Sequence, residues 1–116
     1  MVIDLATGQN WEQSGSTKPV IFYGALIYVG VLNSLEYSGY ADWRLPSLQE
    51  AISLMEPKMY RKLHISSVFD QRQSCILTAT IESHDKLWTV DFKNGCCCTC
   101  DIDNVLAKDA YVRAIR

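Results

Sequence analysis

Four of the chain's five cysteines, Cys96, Cys97, Cys98 and Cys100, lie within five positions directly after Asn94-Gly95. Cysteines this close together suggest a metal site, a disulfide, a reactive thiol or a sulfur-rich strand. Cys97 and Cys100 form a C-x-x-C pair, half of what a structural zinc site needs. The other candidate ligands are Cys75, Cys96, His64 and His84, and none of them makes a second paired motif. If the run is extended, Cys96, Cys98 and Cys100 share one face and Cys97 takes the other. Alternate sulfurs then stand roughly 6–7 Å apart, too far to share one zinc. A disulfide inside such a strand meets the same geometric obstacle. The favoured reading is a strand in which cysteines act as small apolar residues. Five thiols cannot all pair internally, and reduced cysteines are the simpler expectation.

Oxygen ligands are sparse too. Asp91, Asp101, Asp103 and Asn104 could gather calcium, but calcium takes six or more oxygens from several segments. The stretch "DIDN" also lacks the glycine of a hand-type loop. No cofactor is expected, with calcium and zinc as the weaker alternatives. His64 and His84 have no nucleophile or carboxylate at motif spacing.

These residues need a scaffold. A chain of 116 residues, 48% hydrophobic and 21% charged, fits one globular domain over residues 1–116. A net charge of -2 gives no surplus for phosphate, so nucleic acid is not an expected partner. The apolar run 19–32 is too short for a bilayer, which takes about 20 residues. It also lacks the flanks of an export signal. Membrane insertion is not expected, and the compartment stays open: cytoplasmic by default, surface or secreted within a longer precursor.

Residues 2–13 read as two short strands around a turn at Thr7-Gly8. Val20 to Leu35 reads as a largely buried helix, being too long for one strand. Ser47 and Glu50 form a capping box opening a second helix with an apolar stripe of Leu48, Ala51, Ile52 and Met55, ended by Pro57. After a loop, 75–81, 87–93, 96–102 and 110–116 read as strands, with Asn94-Gly95 as a hairpin turn. Helices followed by an antiparallel meander make an α+β domain.

The blocks "DLATGQNWEQ", "GYADWRLPSLQE", "LWTVDFKNG" and "YVRAIR" resemble, in order and across the chain, the Lcl C-terminal domain family. The resemblance implies a C-type-lectin-like fold, two helices on a twisted antiparallel sheet. It also implies relatives among formylglycine-generating enzymes and the variable proteins of diversity-generating retroelements. Members are mostly adhesion or binding modules and not enzymes. This chain departs from the family at "CILTAT" and at the cysteine run, so ligand identity does not transfer.

The resulting expectation is a non-enzymatic, adhesin- or receptor-like domain that recognises a carbohydrate or protein ligand. Its surface is expected on 78–85 and 96–108, with candidates Thr78, Thr80, Glu82, His84, Asp85, Cys98, Cys100, Asp101, Asp103, Asn104 and Lys108. The expected scaffold is Trp11, Trp43, Leu45, Leu48, Ile52, Trp88, Val90, Phe92 and Val112. Asp42 or Arg44 is expected in a buried hydrogen-bond network, and Arg113 and Arg116 in a chain end paired into the sheet. The alternatives are a self-assembling module, as a homo-oligomer such as a trimer, and a thiol- or metal-dependent oxidase of the formylglycine-generating type. In the retroelement branch the cysteine run would be one variant of a diversified surface.

Overall fold

A computed structural model of the chain describes residues 1–60, 62–102 and 110–116. The fold is α+β and is compatible with a C-type-lectin-like arrangement. Strands β1 (Val2–Ile3) and β2 (Asn10–Trp11) pair antiparallel. Between them Gly8 takes φ +74°, as the Thr7-Gly8 turn requires. Helix α1 (Phe22–Ser34) follows. Glu36 at φ 50° and Gly39 at φ 86° end it through a short 3-10 turn.

Helix α2 (Leu48–Ile52) starts with the expected capping box: Ser47 Oγ accepts from Glu50 N at 3.1 Å, and Glu50 Oε1 accepts from Ser47 N at 2.8 Å. It is shorter than its apolar stripe suggests. Met55 and Pro57 lie instead in β3 (Met55–Tyr60), which pairs with β4 (Leu63–Ile65) where a loop is expected. Ile52, at the end of α2, is exposed and not part of the core.

The main sheet has the order β7-β6-β5-β8, from β5 (Cys75–Ser83), β6 (Lys86–Asp91), β7 (Cys96–Asp101) and β8 (Ala110–Tyr111). The first three form the expected antiparallel meander, whereas β8 joins β5 in parallel. Beyond β8 the chain end leaves the sheet to meet the N-terminal hairpin and the Trp-Arg-Leu-Pro block. Ile115 bridges both Trp11 and Arg44, and Asn10 and Arg116 exchange backbone hydrogen bonds at 2.8 Å.

Two apolar layers sandwich this sheet. One holds Trp11, Ile65, Phe69, Ile76, Val90, Phe92 and Ile115. The other holds Ala25 of α1 with Leu45, Leu77, Leu87 and Val112. Trp43 is buried against Leu32 and Ala114, while Leu48 and Trp88 are half-buried. The expected burial of α1 fails: only Ala25 and Leu32 of the helix are buried. Its sequence is apolar all round, which normally marks a helix enclosed by protein, yet the sheet covers a single side.

The buried network is also centred elsewhere than expected. Asp42 is solvent-facing and pairs with Arg116. The buried cation is Arg113, whose guanidinium donates to the carbonyls of Glu12, Gln13 and Asp70 and lies 4.7 Å from the Phe69 ring centre. Burial pulls its pKa down to about 10, against the favourable charge of Glu12.

Candidate functional site

The hairpin between β6 and β7 sets the site. Its loop is the four residues 92–95 and not Asn94-Gly95 alone. Phe92 has left the strand to enter the core, donating its N–H to Ser74 O and accepting from His64 N. The Asp91 carboxylate holds the loop by accepting from the backbone N–H groups of Lys93 (2.9 Å) and Asn94 (3.2 Å) and from the Asn94 amide (2.7 Å). Gly95, at φ 69°, lies against His64: a Cβ there would stand 3.2 Å from the imidazole.

This loop length puts Asp91 opposite Cys96, Thr89 opposite Cys98 and Leu87 opposite Cys100. Cys75 on β5 is also opposite Asp91. Because directly paired residues share a face and alternate positions repeat it, Cys75, Cys96, Cys98 and Cys100 all project to one side of the sheet. The expected alternation of the cysteine run is therefore present. Its burial is not: Cys96, Cys97 and Cys98 are exposed, and Cys100 and Cys75 are partly covered.

Between β7, the 92–95 loop and the start of β8 lies a cleft of about 350 Å3, lined by Cys75, Thr89, Lys93, Asn94, Cys98 and Cys100 among others. Thr89 joins its two walls, with its hydroxyl donating to Cys98 O at 3.1 Å and lying 3.4 Å from Cys98 Sγ. Burial pushes the Cys75 thiol up to about 12, only partly offset by the Thr89 hydroxyl beside it, and Cys98, Asp91 and Cys100 raise it further. Cys96 and Cys100 are raised as well, by lost hydration first and by neighbouring thiols and carboxylates second. Among the described residues no three His, Cys, Asp or Glu side chains are grouped so as to hold a metal ion.

The sequence-predicted site residues divide into groups. Cys98 and Cys100 face the cleft. Thr78 is fully buried and its hydroxyl donates to Trp88 O at 2.8 Å, so it belongs to the sheet interior and not to a surface. Thr80 accepts from Leu48 N at 2.9 Å and fixes the start of α2. Glu82, His84 and Asp85 are exposed around the β5–β6 turn. Asp101 pairs with Lys86 beside that turn, on the opposite sheet face from Cys98 and Cys100. Asp103, Asn104 and Lys108 lie outside the described residues. The cleft residues absent from the sequence-based set include Cys75, Thr89, Lys93 and Asn94. The hairpin signal pointed to that end of the sheet, but its register depends on the loop length.

The chain is thus an α+β domain with a recessed polar and sulfur-lined cleft over one face of its main sheet, and no helix among the described residues is long and apolar enough to cross a membrane. The sequence model of the Lcl C-terminal domain matches residues 1–116, and the chain belongs to that family. No curated protein matches it.

Proposed function

We propose that this domain is a non-catalytic recognition module whose ligand meets β7 and the adjoining cleft. The observation that carries the reading is the exposure of Cys96, Cys97 and Cys98 on the last strand of the sheet, beside an open cleft. Cysteine is among the residues most often buried, so an exposed run of it on a sheet edge favours a surface that is covered when in use.

Between the two ligand classes, a protein segment fits better than a glycan. Among the described residues no aromatic ring lines the cleft to supply the apolar stacking face that aromatic rings offer. An edge strand, in contrast, presents backbone groups to which an extended peptide can add. Catalysis by a thiolate would need a depressed thiol pKa, whereas Cys75, Cys96 and Cys100 are held above the ordinary value.

The test is selection of displayed peptides on the immobilised domain under reducing conditions, alongside a glycan array. Selected peptides should bind the native domain and lose at least about tenfold in affinity, roughly 1.4 kcal/mol, on Cys98→Arg or Lys93→Glu, with the melting temperature unchanged. Peptide binding indifferent to both substitutions, or glycan binding alone, would remove this reading.

A further inference from the structure

We infer that a second recess, beside the sulfur-lined cleft, seats an acidic side chain of the peptide that the domain recognises. This rests on the recognition reading and adds a chemistry to its ligand, an isolated carboxylate.

The recess, of about 510 Å3, is lined by Lys62, Leu63, Gln71, Arg72, Ser74 and Lys93. Three of the six are cations, in a chain whose net charge is -2. Among the described residues no carboxylate lines it, and neither Lys62 nor Lys93 has an ion-pair partner. Arg72 donates from Nη2 to Asp70 Oδ2 at 3.1 Å and from Nε to Oδ1 at 3.4 Å. Its Nη1 has no partner among the described residues. A carboxylate entering here meets two ammonium groups and the open end of a guanidinium, donors with which it pairs well.

One residue holds these cations at a fixed spacing. Phe92, buried in the core, donates its N–H to Ser74 O at 2.8 Å and accepts from His64 N at 2.7 Å. Its backbone thus joins the stretch carrying Arg72, the stretch carrying Lys62 and its own neighbour Lys93. The Asp91 carboxylate accepts from Lys93 N at 2.9 Å, and Asp70 Oδ1 accepts from Arg72 N at 2.8 Å. The like charges are gathered before any ligand arrives, so less ordering remains to be done on binding.

The surroundings select the ligand. Ser74 and Lys93 line both this recess and the cleft, so one extended segment can pass from one into the other. Leu63 gives the recess an apolar wall, and its volume lies within the range of about 300–1,000 Å3 that suits organic groups. A bare inorganic ion leaves most of that space empty. Asp70 pairs with Arg72 at the rim, and Asp91 lines the adjoining cleft. A chain of repeated anions, such as a sulfated polysaccharide, would set further charges against these two carboxylates. A single acidic residue with neutral neighbours does not.

The experiment takes peptides selected on the domain and synthesises them with amidated C-termini, so that only side chains supply carboxylates. Fluorescence anisotropy compares their binding to the domain and to its Lys62→Glu, Arg72→Gln and Cys98→Arg variants. One position should be enriched in Asp or Glu. Changing it to Asn or Gln should weaken binding by about 5- to 30-fold, the product of two or three exposed ion pairs. Lys62→Glu should weaken the acidic peptide by at least about tenfold and leave its neutral form within about twofold. A Lys at the acidic position should restore binding to Lys62→Glu, which a misfolded variant would not allow. Peptides that lose affinity on Cys98→Arg, yet show no acidic preference and tolerate Lys62→Glu, would overturn the inference and leave the recognition reading standing. Acidic peptides sensitive to Lys62→Glu but indifferent to Cys98→Arg would keep the seat and remove the cleft. Binding of a sulfated polysaccharide with no acidic peptide selected would overturn both.

Discussion

Arg44 grips Glu50 with both terminal nitrogens, Nη1 to Oε1 and Nη2 to Oε2, each at 2.8 Å. The same carboxylate accepts from Ser47 N at 2.8 Å and from the Gln9 amide at 2.6 Å. One side chain thus caps α2, fixes the Trp-Arg-Leu-Pro block and ties in the N-terminal hairpin. The Arg44 hydrogen bonds, aided by the capping contacts, hold the Glu50 carboxyl down at about 2 from an ordinary 4.5. A carboxylate depressed on folding stabilises the fold above its unfolded pKa and loses that contribution as pH falls toward the folded value. Glu50→Gln keeps the size and the capping acceptor but removes the charge. It should cost about 1–2 kcal/mol at neutral pH, a figure reduced for the half-exposed Arg44. That difference should close between about pH 4.5 and pH 2. Paired urea titrations at several pH values measure it.

Gly15 should be the least replaceable glycine among those at positive φ. It sits at φ 104°, and a Cβ there would lie 2.1 Å from the carbonyl oxygen of Val112. Gly8, at φ 74°, has nothing within 4 Å of that point. Gly8→Ala should therefore cost only the left-handed backbone term, about 1–2 kcal/mol. Gly15→Ala should cost more than about 3 kcal/mol, because backbone must also move apart. Thermal melts of the two variants separate these cases.

Removing Arg113 should be severe, since it would leave the carbonyls of Glu12, Gln13 and Asp70 without that donor in the interior. Arg113→Met is expected to cost at least about 3 kcal/mol, each unpaired buried group contributing about 1–3. Arg113→Lys should not rescue it, because an ammonium cannot reproduce the planar fork that reaches three carbonyls. Denaturant midpoints compare the three proteins.

The thiols should react in two classes. Cys96, Cys97 and Cys98 are exposed, and Cys75 is partly covered. A small disulfide reagent at about pH 8, near an ordinary thiol pKa, should label the first three in the native protein. Cys75, pushed up to about 12 by burial, should label only on unfolding. Mass spectrometry of trapped peptides reads the order, and early labelling of Cys75 would contradict the cover and raised pKa of that thiol.

How much of this was legible beforehand differs between elements. The capping box of α2 and the glycine turn at Gly8 were, because each is decided by contacts within four or five residues. The strand character and facing of the cysteine run were also legible, since alternation is a backbone property. The family, too, was carried by local blocks. Strands β3 and β4 were not, because Pro57 reads as a helix stop whether a loop or an edge strand follows.

The cleft depended on a longer-range choice. An Asn94-Gly95 loop alone would set Lys93 opposite Cys96, whereas the core took Phe92 and lengthened the loop, setting Asp91 opposite Cys96 and Thr89 opposite Cys98. Likewise, an uncharged apolar helix announced burial, but the sequence could not say whether the cover comes from within the chain. By itself, then, the sequence determined the caps, turns, alternation and family of this protein. Tertiary structure decided the strand register, the exposure of the thiols and the uncovered side of α1, because each depends on which distant surfaces reach one another first in the packed core.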